Sequence, residues 1–211
     1  IDAVVVVVPP EQMALVVGSL VEFKRPILHE TPLGRPVGQA TAVIKKIRAA
    51  GVLVETAEQQ AFYPIEQLKR QVIAAGHLGK VFAAENHHHS YAYHGVAKLR
   101  AYCAGSQLQS VRAWNRVLPD GSRATQAVLE FSHQRYATMI FGPASKAWPI
   151  SLPIRAINVI GERGAIFGYT AYVREGEAVQ QYPLREIRSG DDLAALEFSD
   201  GKATLARWEN P

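Results

Sequence analysis

Residues 3–10 read Ala-Val-Val-Val-Val-Val-Pro-Pro. Five consecutive β-branched residues without polar alternation predict a parallel strand covered on both faces, because a strand with one wet face would carry a period of two. Such a strand belongs in the middle of a sheet, so the sequence reads as beginning inside a domain. Pro9-Pro10 ends the extended run. Met13, Val16, Val17, Leu20 and Val21 then follow at helical spacing.

The strand-helix unit recurs twice. Ile27-Leu28 predicts a short buried strand, Glu30-Thr31-Pro32 a turn, and Pro36 the first turn of a helix with Val37, Ala40, Val43, Ile44 and Ile47 on one face. Lys45, Lys46 and Arg48 take its solvent side, and Gly51 is placed to cap it. Val52-Leu53-Val54 reads as a third strand. After Phe62-Tyr63-Pro64 a third helix carries Ile65, Leu68, Val72 and Ile73 and ends at Gly76. With right-handed crossovers this βαβαβα order builds an open parallel sheet.

Beyond Gly79 the period changes. Val81 to Asn86 alternates as a strand, and one helix with Val96, Leu99 and Cys103 intervenes. Short strands then follow, separated by Asp120-Gly121, Ser132-His133-Gln134, Gly161 to Gly164, Glu175-Gly176 and Asp200-Gly201. The pattern is that of an antiparallel sheet, with the domain boundary near residues 77–79. Trp114, Val128, Tyr136, Thr138 and Ile140 do not divide into a wet and a dry face, which predicts a sheet with its own helices on one side and a partner chain on the other.

The 211 residues carry a net charge of +4 spread without basic runs, which excludes a nucleic-acid footprint. The lone thiol, Cys103, cannot pair within the chain, and no apolar stretch approaches the roughly 20 residues that cross a bilayer. A reducing, cytoplasmic setting with no membrane partner is the expectation.

Open parallel sheets bind ligands beyond the carboxyl ends of their strands, so the loops at Pro9-Pro10, Glu30-Thr31-Pro32 and Glu55 to Gln60 should line one crevice. Acidic and amide groups there suit hydroxyls. The sequence offers no Ser-His-Asp arrangement and no glycine-rich phosphate loop. His87 and His89 share a strand face with Glu85, but no further ligand completes a zinc set, so no metal is expected.

Taken in order, Ile27-Leu28-His29-Glu30-Thr31-Pro32-Leu33, Phe62-Tyr63-Pro64 and Gly76-His77-Leu78-Gly79-Lys80-Val81 resemble three signatures of the glucose-fructose oxidoreductase / inositol dehydrogenase / rhizopine catabolism family. These are its Glu-Lys-Pro motif, its Arg-Phe-x-Pro stretch and the start of its C-terminal sheet domain. The resemblance covers most of the chain. It implies a fold of class α/β plus α+β: the C-terminal half of a Rossmann-like dinucleotide-binding domain over residues 1–78, followed by an α+β substrate-binding and dimerisation domain over residues 79–211.

It also implies an NAD(P)-dependent oxidoreductase acting on a sugar or polyol, with NAD or NADP as cofactor and a homodimer or higher oligomer as the assembly. Pro9, Pro10, Glu30 and Gln59 fall at cofactor-binding positions. The family's catalytic Lys position is Thr31, and its Asp-x-Gly-x-His motif overlays Ser90 to His94, keeping His94 and losing the Asp. His94 is then the proton carrier, and Tyr93 the nearest substitute for the missing Lys. The alternative is a non-catalytic sugar- or protein-binding homologue. Each residue also has a plainer reading: Glu30 as a turn cap, the prolines as strand punctuation, His94 as a satisfied structural histidine, and Gln59 as an exposed helix-start residue.

Overall fold

Val4–Val6 (β1), Ile27–His29 (β2) and Val54–Thr56 (β3) form a parallel sheet in the order β1-β2-β3. Helices Pro10–Leu20 (α1) and Val37–Ala50 (α2) provide the crossovers. The computed structural model describes residues 1–86, 92–119, 121–141, 157–201 and 203–210. Met13 and Val17 of α1 and Val43 of α2 bury against Val6 and Ile27, making a small core on one face of the sheet. Gly51 caps α2 at φ 64, a left-handed position that a residue without Cβ adopts at no steric cost.

The valine run does not behave as a doubly covered strand. β1 is an edge of this sheet, and Val5 and Val7 are 69% and 73% exposed. The register explains the pattern: Val6, His29 and Thr56 share a row on the helix-covered face, whereas Val5, Leu28 and Glu55 share a row on the face without helices. Unbroken hydrophobicity therefore marks an ability to be covered on both sides, and within unit Ile1–Gln59 only one side is.

The chain separates into two compact units, Ile1–Gln59 and Gln60–Pro211. This is earlier than the boundary read from the change of period near residues 77–79. The helix Pro64–Ala74 (α3), grouped by its pattern with the parallel sheet, buries Ile65, Leu68 and Val72 in the core of the second unit.

That unit is built on a ten-stranded sheet. Its strands are Val81–Asn86 (β4), Leu108–Val117 (β5), Arg123–Phe131 (β6), Arg135–Phe141 (β7), Asn158–Gly161 (β8), Gly164–Phe167 (β9), Thr170–Glu175 (β10), Ala178–Ser189 (β11), Asp192–Ser199 (β12) and Thr204–Glu209 (β13). They lie in the order β13-β12-β11-β10-β9-β8-β4-β7-β6-β5, and the sheet is antiparallel except where β4 runs parallel to β7. Ala92–Tyr102 (α4) packs on β4 and β7, while α3 packs on β12 and β13. The predicted fold class holds: a partial Rossmann-like parallel sheet, then a mainly antiparallel sheet domain.

Register assigns the two faces of the large sheet. Ala127, Leu129, Phe131, Ala137 and Met139 are buried beneath the helices. Trp114, Val128, Tyr136, Thr138 and Ile140 all stand on the opposite face, where Trp114, Tyr136 and Ile140 are exposed. At the β8-β9 turn the backbones come very close. A Cβ at Gly164 would collide with the carbonyl oxygen of Tyr172, and Val173 Cα and the Leu78 side chain would lie 3.2 Å away. A strand backbone cannot step aside as a side-chain tip can, so Gly164→Ala should lower unfolding free energy by about 2–3 kcal/mol, read as a lower denaturant midpoint at unchanged slope.

Candidate functional site

The carboxyl ends of β1, β2 and β3 lie at one edge of the first unit because all three strands are parallel and in register. This edge gathers Pro9, Pro10, Glu30 and Thr31. Gln59 lies on the same side, exposed in the short 3-10 turn Gln59–Phe62 that follows β3. Pro9 ends its strand as the N-cap of α1, and its carbonyl accepts the Gln12 and Met13 N–H groups at 2.9 and 3.2 Å. Pro10 fills N1, where a missing N–H costs nothing. The prolines thus mark the start of α1, beyond the end of β1 at Val6.

Glu30 donates its backbone N–H to the Val6 carbonyl at 2.9 Å, and its side-chain Oε2 accepts the Thr31 N–H at 2.7 Å. The carboxylate is therefore held in place by its own turn. Beside it lies a residue the sequence reading passed over. His29 is 2% exposed, its Nδ1 lies 2.7 Å from the Glu30 carbonyl, and its Nε2 lies 2.9 Å from Thr56 Oγ1. A carbonyl can only accept, so Nδ1 carries the proton and Nε2 can accept the threonine hydroxyl. The ring ties the end of β2 to the end of β3. Alternation in β2, with Ile27 and His29 inward and Leu28 outward, was the available signal.

In the second unit, Tyr93 and His94 occupy the first turns of α4 with ring centroids 4.4 Å apart, and His94 is 7% exposed. Glu85 is half-buried in β4. His87, His89 and Ser90 fall outside the described residues, and among those described no cluster of metal-ligating side chains occurs.

Asn86, at the end of β4, is fully buried with both side-chain polar atoms lacking a hydrogen-bond partner, and it lies against Gly95, the neighbour of His94. A buried orphan amide costs stability unless something pairs with it. An asparagine ending a strand is common, so nothing in the pattern singled it out.

A second polar group lies deeper. Glu66 of α3 accepts the Tyr102 hydroxyl at 2.5 Å and the Ile157 N–H at 3.3 Å, and its carboxylate is 3.7 Å from Lys69 Nζ. Lys69 donates to the Ile157 carbonyl at 2.6 Å. Glu66, Lys69 and Lys98 are all at most 1% exposed. Desolvation lowers the Lys69 pKa and the Lys98 charge adds to this, while Glu66 opposes both. Burial and the Glu66 charge hold the Tyr102 phenol well above its usual range. Cys103 is buried and its thiol is pushed up by that burial, which makes it a poor nucleophile.

No protein-family model matches the sequence, and no curated protein does. Solved structures do match in fold. An oxidoreductase from Pseudomonas syringae superposes at TM-score 0.65 and 16% identity, over 87% of this chain and 56% of that one. A biliverdin reductase from Synechocystis, in complex with biliverdin and NADP+, gives 0.67 and 18% over 89% and 66%. An inositol dehydrogenase homologue from Azotobacter vinelandii, with NADH and myo-inositol, gives 0.66 and 15% over 87% and 56%. The chain spans between 56% and 66% of the length of these three neighbours. At these identities the likeness is one of fold. No helix among the described residues is long and apolar enough to cross a membrane.

Proposed function

We propose that this chain is the nicotinamide-proximal and substrate-binding portion of an NAD(P)-dependent oxidoreductase acting on a sugar or polyol. The observation that carries the reading is the convergence of Pro9, Pro10, Glu30 and Thr31 at the carboxyl edge of a parallel sheet whose fold neighbours were crystallised with nicotinamide dinucleotides. The cofactor supplies the hydride acceptor or donor, and the chain supplies placement and proton movement. Glu30 and the Thr31 hydroxyl suit ribose or substrate hydroxyls. In the second unit His94 is the candidate carrier of a carbinol proton, with Tyr93 beside it and the Asn86 amide as a further donor and acceptor.

The residues present fit the nicotinamide end of a dinucleotide and not its pyrophosphate. The first turn of α1 has Pro10 in place of an N–H donor and carries the acidic Glu11, the reverse of a phosphate-binding helix start. Residues 1–211 alone should therefore bind NAD(H) and NADP(H) negligibly by calorimetry. Micromolar binding by this chain would contradict that assignment.

A homodimer or higher oligomer is proposed, with the open face of the large sheet as one contact, on the strength of the exposed Trp114, Tyr136 and Ile140 sharing it. Ile140→Glu should reduce the particle mass measured by light scattering, and an unchanged mass would remove this face as the contact. The rival reading, a sugar-binding homologue without turnover, is favoured by Thr31 at the lysine position. Saturation-transfer NMR with a polyol panel, run beside a cofactor-reduction assay on the protein carrying this chain, separates the two. Binding together with reduction supports the enzyme, and binding without reduction supports the rival.

A further inference from the structure

The outermost strand of the large sheet is long, exposed and unpaired on one side. β5 stands at the end of the strand order and pairs with β6 alone among the described residues. Val111 and Trp114 are each 55% exposed and Val117 is 69% exposed. The hairpin sets the direction of its backbone groups. The Leu118 N–H donates to the Ser122 carbonyl at 2.7 Å, so in the regular ladder above the bulge the even-numbered residues bond to β6. Val111, Ala113, Asn115 and Val117 therefore turn their N–H and C=O groups outward.

We propose that this edge pairs antiparallel with the same edge of a second copy, with Ala113 opposite Ala113 on the twofold axis. In that register the outward groups of Ala113 meet their symmetry mates, and those of Val111 meet those of Asn115. On the open face Arg112 falls opposite Trp114, twice by symmetry, placing a guanidinium beside an exposed indole. Charge excludes the neighbouring registers. A shift one way sets Arg112 opposite Arg112, and a shift the other way sets Arg112 opposite Arg116. In the chosen register, Arg112 also keeps its own-chain Glu130 at 3.4 Å. An unprotected edge strand with apolar residues on both faces is a template for pairing, and a self-complementary register makes the second copy its fitting occupant.

Two substitutions test this in the full chain. Cα atoms of a hydrogen-bonded antiparallel pair stand about 5.5 Å apart, within the range a disulfide spans. Ala113→Cys should therefore give a cross-linked dimer under mild oxidation. Asn115→Cys, whose mate would be Val111, should not, and the buried Cys103 stays silent in both. Ala113→Pro removes only an outward N–H and leaves the β6 ladder intact. It should halve the particle mass seen by light scattering at unchanged circular dichroism. Equal cross-linking of the two cysteine variants, or a mass unaltered by Ala113→Pro, would overturn the proposal. A mass falling only with Ile140→Glu would leave the sheet face as the contact and overturn the edge pairing.

Discussion

His94→Ala, made in the protein carrying this chain, should lower turnover on a polyol by about 100- to 10,000-fold, the range that positioned proton transfer contributes. Hydride cannot leave a carbinol carbon unless the hydroxyl proton departs with it, and an imidazole nitrogen is a base able to accept that proton. Thr31 cannot act as a base at any ordinary pH. A histidine that merely filled space would leave turnover unchanged. The unfolding midpoint of the variant should move little, because the helix it sits on remains packed through Leu99 and Tyr102. Thr31→Lys should act in the opposite direction. If Thr31 stands at the lysine position of the proposed enzyme, a cation there should raise turnover towards about 100-fold, the lower end of what such a donor is worth. Full activity in His94→Ala would remove His94 from the mechanism.

Glu66→Gln carries the largest expected effect on stability. Removing one partner from a buried charged group costs about 3–5 kcal/mol, because Lys69 keeps its desolvation and its repulsion from Lys98 while losing its anion. Tyr102 loses its charged acceptor in the same step. The variant should unfold at distinctly lower denaturant in the second unit.

The pH dependence of the wild type follows from the signs. The folded-state pKa of Lys69 is lowered, so the unfolded chain binds more protons between that value and about 10.4, and this residue makes stability rise with pH across that window. Tyr102 acts oppositely, since its raised folded-state pKa makes stability fall as pH climbs through and beyond about 10, where only the unfolded phenol ionises. A Glu66→Gln variant as stable as the wild type would show that Lys69 is neutral in the folded protein and that the carboxylate is dispensable.

Elements with a clear period were legible in sequence. α1, α2 and the hairpins at residues 132–134, 161–164 and 175–176 occur where spacing and turn residues place them. Where a reading turned on which surfaces meet, sequence was silent. The valine run advertised burial on both faces, but only the register shows Val5 on the face without helices. α3 has the same stripe whichever sheet it packs on, so its place in the second unit could not be read from Ile65, Leu68 and Val72. Glu66 and Lys69 form an i,i+3 pair of a kind usually found at a surface, and their burial depends on Ile157, distant in sequence. Pro9, Pro10, Glu30 and Thr31 were legible as a group because parallel strands bring their ends to one edge. His29 and Asn86 were not, since each is a polar residue in a short strand whose importance lies in what it touches.

Hydride transfer leaves an isotopic trace. With a polyol deuterated at carbon and the oxidised dinucleotide supplied to the protein carrying this chain, deuterium should pass to the nicotinamide ring and be found there by mass spectrometry. If a polyol binds the protein and no deuterium reaches the ring with either NAD or NADP, the oxidoreductase account is contradicted and the chain is a binding homologue.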